Sequence, residues 1–100
     1  MSRLIWSAPA VADLGRLYHF LAKSDVDAAR KAISAIRSGT NILTDHPQIG
    51  RPALDWRGGY REWPIRYGAA GYVILYRLVD NDIVVLAIRH MRDAWFRRND

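Results

Sequence analysis

The sequence predicts an α+β fold in the order β-α-α-β-β-β, with a helical hairpin covering one face of an antiparallel sheet. Three observations carry that prediction. The first half holds two stretches with apolar residues at helical spacing. The stretch Gly58 to His90 reads as three strands joined by two turns. Between these parts, Pro47 to Gly59 carries two prolines and three glycines, the composition of a surface loop. A chain of 100 residues, half of them apolar, forms one domain over 1–100 with one modest core.

Leu4-Ile5-Trp6 is a short first strand. Ser7 stands where a helix N-cap belongs, and Pro9 is tolerated in the first turn, where its missing N–H is not needed. Val11, Leu14, Leu17, Tyr18 and Leu21 then make one helical stripe. Asp13, near the start, suits the helix dipole. Lys23-Ser24-Asp25 interrupts the pattern, and Ser24 or Asp25 can cap a second helix. Its stripe runs through Ala29, Ala32, Ile33 and Ile36 to Ile42-Leu43, with small alanines that allow a close neighbour. Gly39 lies inside this pattern at a cost of about 1 kcal/mol relative to alanine, marking a bend or an early end. The short link makes the two helices an antiparallel hairpin. His46-Pro47 ends the second, because a residue before proline avoids the helical region.

In the second half, Tyr72, Ile74, Tyr76 and Leu78 share one strand face, which should lie under the helices; Val73, Leu75 and Arg77 share the other. One strand earlier, Arg61, Trp63 and Ile65 alternate with Tyr60, Glu62 and Pro64. Asp80-Asn81-Asp82 supplies a tight turn. Ile83 to Ile88 is wholly apolar and reads as an interior strand. Two helices cover only one face, so Val73 and Leu75 need the C-terminal segment or a partner over them. Met91 to Asp100, with Ala94-Trp95-Phe96, reads as a helical turn or a short flap.

Several function classes drop out. With no cysteine there is neither a disulfide framework nor a thiolate metal site. Three separated histidines and no phosphate-binding glycine loop imply no metal and no cofactor. The start shows no secretory pattern, and no run approaches the ~18 apolar residues of a membrane span, so a cytoplasmic protein without a membrane partner is expected. Fifteen basic residues against ten acidic ones give a net charge of +5. That is a solvated basic surface, or one that meets an acidic partner.

Five pieces of sequence then occur in order: Trp6-Ser7 with Ala12-Asp13-Leu14; His46-Pro47-Gln48-Ile49-Gly50-Arg51-Pro52; Tyr60-Arg61-Glu62; Gly71-Tyr72-Val73-Ile74-Leu75-Tyr76-Arg77; and Ile88-Arg89-His90-Met91-Arg92-Asp93. Each is weak alone. Together they span nearly the whole chain, and the chain resembles the ParE branch of the RelE/ParE toxin superfamily of type II toxin–antitoxin modules. The resemblance implies a compact α+β toxin neutralised by a cognate antitoxin protein, with any operator DNA bound only through that antitoxin. ParE-like members poison DNA gyrase; RelE-like members cut mRNA on the ribosome. Fold alone does not choose between these.

Metal-free RNA cleavage needs a base for the 2′-hydroxyl, cations at the phosphate and an acid for the leaving oxygen. In the resemblance, Arg61 falls where the first strand lysine of RelE-like nucleases stands, but the next same-face position is Trp63. Val73 occupies the place of their catalytic arginine, and no tyrosine follows residue 76. The residues therefore favour a gyrase inhibitor, with no catalytic residue assigned. The alternative, a ribosome-dependent mRNA interferase, would use Arg61, Arg77, His90 and Arg92. Glu62 joins such a set only if a bulge near Pro64 changes the strand register. A third reading is a module without toxicity that persists as a binding partner.

The target-binding candidates are Arg61, Arg77, Arg89, His90, Arg92 and Trp95, part of one basic face with Arg66, Arg97 and Arg98. The antitoxin-binding candidates are Leu14, Leu17, Tyr18, Leu21, Val73 and Leu75, which a disordered acidic-amphipathic segment would cover as it folds. Plainer readings stand beside these. His90 suits a neutral histidine bonded to backbone. Arg61-Glu62 suits an exposed pair contributing about 0–1 kcal/mol. Arg77 suits a turn contact to Asp80 or Asp82, and Trp63 and Trp95 suit packing.

Overall fold

The computed structural model describes residues 2–53 and 59–93. They form β1 (Arg3–Trp6), α1 (Ala8–Ala22), α2 (Val26–Asp45), β2 (Arg51–Pro52), β3 (Tyr60–Tyr67), β4 (Ala70–Val79) and β5 (Asp82–His90), then a 3₁₀ turn, Met91–Asp93. The sheet order is β1-β5-β4-β3-β2. β1 runs parallel to β5, and the other neighbours are antiparallel. The predicted α+β class, helical hairpin and meander are all present. β5 lies inside the sheet, as its apolar run implied.

Local chemistry sets the helix ends. The Ser7 hydroxyl accepts the Ala10 N–H at 3.2 Å. Asp25, rather than Ser24, caps α2 by accepting from the N–H groups of Asp27 and Ala28. Gly39 does not end α2, which continues to Asp45. Ile65 packs over it so closely that a Cβ there would lie 3.0 Å from the isoleucine side chain, and Trp63 Nε1 donates to its carbonyl at 3.1 Å. Glycine is thus what lets α2 sit down on β3.

The helix-facing side of the sheet is the main core. Ile36, Leu43, Ile74, Tyr76, Ile83 and Val85 are fully buried, with Ile65 and Tyr72 nearly so. Each such aliphatic contributes about 1.5–3 kcal/mol. Leu14, Leu17 and Trp63 pack against this cluster from its margin.

Two expectations need correction. The loop after α2 is not wholly irregular: Arg51 and Pro52 pair with Glu62 and Arg61 as β2. A proline is tolerated there because β2 is an edge strand. The cover expected over Val73 and Leu75 comes from the C-terminal segment only in part, through Met91, and otherwise from Ala53 and neighbouring strand residues. Val73 and Leu75 are buried in a small cluster with Ala53 and Ala87, flanked by Tyr60, Leu86 and Met91.

Candidate functional site

Three polar assemblies sit on this frame. The first joins α1 to β5. β1 is short, and its pairing with β5 ends at Trp6 opposite Val85; the Ser7 N–H adds one more bond, to the Val85 carbonyl. Past that point the buried carboxylate of Asp13 takes over the β5 edge. It accepts the Ile88 N–H at 2.9 Å and the Arg89 guanidinium at 2.8 Å, and also pairs with Arg16. Asp13 lies beyond the first helical turn, so its role is this edge cap and not the helix dipole. The sequence held a signal for it: an acid three residues after Ala10 and four before Leu17, on the apolar stripe.

The second assembly fixes residues 46–50. The Tyr76 hydroxyl, at the end of a buried side chain, accepts the Gly50 N–H at 2.9 Å and donates to the Pro47 carbonyl at 2.8 Å. Arg61 donates to the carbonyls of Gly50 (2.6 Å) and Gln48 (3.2 Å). A Cβ at residue 50 would lie 2.6 Å from the Tyr76 oxygen and 2.7 Å from the Glu62 carbonyl oxygen, which requires glycine. Burial raises the Tyr76 phenol above its ordinary range, opposed by the Gly50 hydrogen bond and the charge of Arg61.

The third lies on the sheet face away from the helices. Glu62, 1% exposed, accepts from Arg51 Nε at 3.1 Å. Its second oxygen has no hydrogen-bond partner among the described residues. Arg77 lies over the Tyr60 ring, 5.3 Å from its centre. The predicted Arg61-Glu62 surface pair is therefore not one unit. The two residues alternate across β3, and one is buried. Arg77 also does not close the Asp80-Asn81-Asp82 turn. Asp82 is held by Arg3 instead, through bonds of 2.9 and 3.1 Å, and Asp80 makes the turn with a φ of 56°.

These placements separate the candidate site residues. Arg61 pairs with Tyr76 and Arg77 with Tyr60, so the two arginines lie on opposite faces. His90 lies opposite Tyr72, with the rings edge-on at 5.5 Å, and its Nδ1 accepts the Arg92 N–H at 3.1 Å. The backbone-bonded reading of His90 holds. Tyr72 and Arg77 are five positions apart on β4, roughly 16 Å at strand rise. Arg61, Arg77, His90 and Arg92 are thus not gathered around one point, and the single basic face is divided. Trp95, Arg97 and Arg98 lie outside the described residues, as does the predicted flap beyond Asp93. Among the described residues no cluster of His, Asp and Glu could hold a metal ion.

Two surface features remain. Between α1 and α2 runs a groove with a cavity of about 380 Å³, lined by Tyr18, Ile33, Arg37 and Asn41 among others. Val11 and Phe20 of α1 stand exposed, Phe20 at 69%. Leu14 and Leu17 turn toward the core, so the exposed apolar surface of α1 differs from the predicted stripe. The other feature is a cavity of about 370 Å³ between residues 49–51 and β3.

The pattern of the family described as "ParE toxin of type II toxin-antitoxin system, parDE" matches residues 4–95. Toxin RelE3 of Caulobacter vibrioides is 35% identical over 78 residues, 78% of this chain and 82% of the relative. Toxin ParE3 of the same organism is 30% identical over 89 residues, 88% and 85% of the two chains. Among solved structures, a chain of the chromosomal ParDE toxin–antitoxin system of P. aeruginosa superposes with a TM-score of 0.75 at 23% identity, covering 91% of this chain and 97% of its own. A chain of the RelBE2 toxin–antitoxin complex of Mycobacterium tuberculosis gives 0.59 at 22%, covering 88% and 95%. At those identities the structures speak to the fold.

Proposed function

The chain belongs to the ParE toxin family of type II toxin–antitoxin systems, and from that premise we propose that it acts by binding DNA gyrase and not by a reaction of its own. The observation that carries this reading is the dispersal of the groups a metal-free nuclease needs. Arg61 and Arg77 project from opposite faces. His90 is engaged with Tyr72 and the Arg92 N–H. Val73, at the position of the nuclease arginine in the resemblance, is buried. A proton relay requires its acid and base within hydrogen-bond reach of one substrate.

In this reading Arg77 and Arg92, both exposed, contact the target, and Trp95 is the third target-binding candidate. Arg61, Arg89 and His90 act through the contacts they make within the chain. The cognate antitoxin seats on the helical hairpin. Tyr18 and Leu21 border that surface, Leu14 and Leu17 support it from below, and Val11 and Phe20 meet the partner. An acidic antitoxin segment also matches the Arg30 and Arg37 side chains in the groove. The toxin works in the cytoplasm and reaches operator DNA only through the antitoxin.

The test is a cleavage assay on supercoiled plasmid with gyrase, ATP and purified toxin. Protein-linked broken DNA that accumulates with toxin, and disappears with antitoxin, is the expected result. No cleavage complexes at large toxin excess, together with mRNA cut only when ribosomes are present, would move the target to the ribosome. Normal growth of cells making the folded chain would end both toxic readings.

A further inference from the structure

We propose that the groove between α1 and α2 binds the phosphodiester backbone of duplex DNA. The proposal rests on the gyrase reading for the source of the duplex; the site itself stands on the chemistry of α2. The groove holds about 380 Å³. Arg30, Ser34, Arg37, Ser38 and Asn41 line it and form one stripe along the helix. At helical rise the stripe is about 16 Å long. Every member carries a hydrogen-bond donor, two carry a positive charge, and no acidic residue lines the groove.

These donors are available. All five residues are exposed. Their side chains make no hydrogen bond or ion pair among the described residues. The threonines of the same helix behave differently. Thr40 and Thr44 turn their hydroxyls onto the backbone carbonyls of Ile36 and Asn41. The neighbouring cations are also engaged: Lys31 pairs with Asp27 at 3.5 Å, and Arg16 of α1 pairs with Asp13. Arg30 and Arg37 are thus the helical guanidinium groups open to a partner.

This chemistry fits a phosphate backbone. Phosphate oxygens only accept hydrogen bonds, and arginine, serine, asparagine and tyrosine are among the side chains that hold them in protein–DNA contacts. A single strand is a poorer match, because its binders stack successive bases on several rings. Tyr18 supplies the single ring of this lining, half-buried and edge-on to His19. A helix face with a row of donors and one ring holds a regular backbone without reading its bases. The antitoxin, seated on the hairpin, covers the same two arginines, so toxin in the complex does not hold DNA through this face.

The probe is a fluorescent duplex of mixed sequence, roughly 20 base pairs or two helical turns. It is titrated with the full chain and followed by anisotropy at several salt concentrations. Each phosphate contact steepens the slope of log affinity against log salt by about 0.9. Arg30→Gln and Arg37→Gln should each make that slope shallower by about one and weaken binding about eightfold near 0.1 M salt. Arg37→Lys keeps the charge and should keep the slope. Arg66→Gln, at an exposed position on β3, should change neither slope nor affinity. All three positions are exposed, so far-UV circular dichroism should be unaltered. A loss at Arg66 as large as that at Arg30 and Arg37 overturns the proposal, because diffuse charge would then suffice. A uridine oligonucleotide that binds through the same arginines more tightly than the duplex overturns it in favour of RNA. Duplex binding lost in both groove variants, but without gyrase cleavage complexes, keeps the groove site and removes the gyrase reading. Cleavage complexes without duplex binding keep the gyrase reading and remove the groove site.

Discussion

At one side of the sheet the carboxylate of Asp13 holds α1 to β5; at another the phenol of Tyr76 holds residues 46–50 to β4. Both are polar groups on otherwise apolar faces, and both satisfy backbone groups that no strand reaches. They differ in charge. Asp13 takes the Ile88 N–H that short β1 leaves unpaired, and as a buried anion it also needs Arg89 and Arg16. Tyr76 needs no counter-charge, because a neutral hydroxyl donates once and accepts once. Asp13 therefore ties together elements that make the fold, while Tyr76 shapes a surface loop already attached at both ends. Breaking the charged anchor should cost more.

The sharpest way to break this comparison is Asp13→Ala. It strands a buried N–H and removes the partner of two arginines, so a loss of about 3 kcal/mol is expected, read as a lower urea midpoint. Asp13→Asn keeps an acceptor for Ile88 and should recover about half of that. If Asp13→Ala proves no worse than a loop substitution, the edge-cap account fails. Next in size is Gly50→Ala at the neutral anchor. Its Cβ would meet the Tyr76 oxygen and the Glu62 carbonyl at 2.6 and 2.7 Å. The loop must lift, at about 2 kcal/mol.

Tyr76→Phe is gentler, because it removes two hydrogen bonds without adding volume. A loss of about 1–2 kcal/mol is expected at neutral pH. Its pH dependence is more telling. Burial raises the Tyr76 pKa above the ordinary value of 10.0, and that of Tyr72 is raised in the same way. Above pH 10 the unfolded chain releases these protons while the folded chain retains them. Stability is therefore complete below the unfolded pKa and falls as pH rises through the folded one. Tyr76→Phe should flatten that alkaline limb in part and leave the Tyr72 contribution. An unchanged limb would mean that Tyr76 does not titrate with folding.

The meander, the hairpin and most of the core were legible because apolar spacing reports burial directly. Ile74 and Ile36 fall on stripes that any packing of these elements must bury. The anchors were harder to read. Asp13 stood on an apolar stripe, a local anomaly, yet its partner lies 75 residues away. Nothing in either segment names the other. Tyr76 read as core, which it is, but its hydroxyl partners come from a loop whose path the sequence leaves open. β2 was missed because two residues carry no periodicity. The candidate arginines looked like one face because charge was counted without register. Once Arg61 pairs with Tyr76 and Arg77 with Tyr60, alternation puts them on opposite sides.

Arg3 and Asp82 give the smallest expected effect and a control on the ranking. Their geometry is good, with two parallel hydrogen bonds across the β1–β5 pair. They differ from the two anchors in exposure: the Arg3 side chain is 75% exposed. Water screens such a pair, so Arg3→Ala should leave the urea midpoint at pH 7 nearly unchanged. The acid limb should respond instead. The Arg3 hydrogen bonds hold the Asp82 carboxyl below its ordinary value of 3.8. That contribution is present above the unfolded pKa and lost as pH falls through the folded one, so Arg3→Ala should remove a shallow decline below pH 4. A shift at pH 7 as large as that of Tyr76→Phe would mean that bond geometry outweighs burial here. The contrast between Asp13 and Tyr76 would then reflect the number of bonds each makes, not the charge each carries.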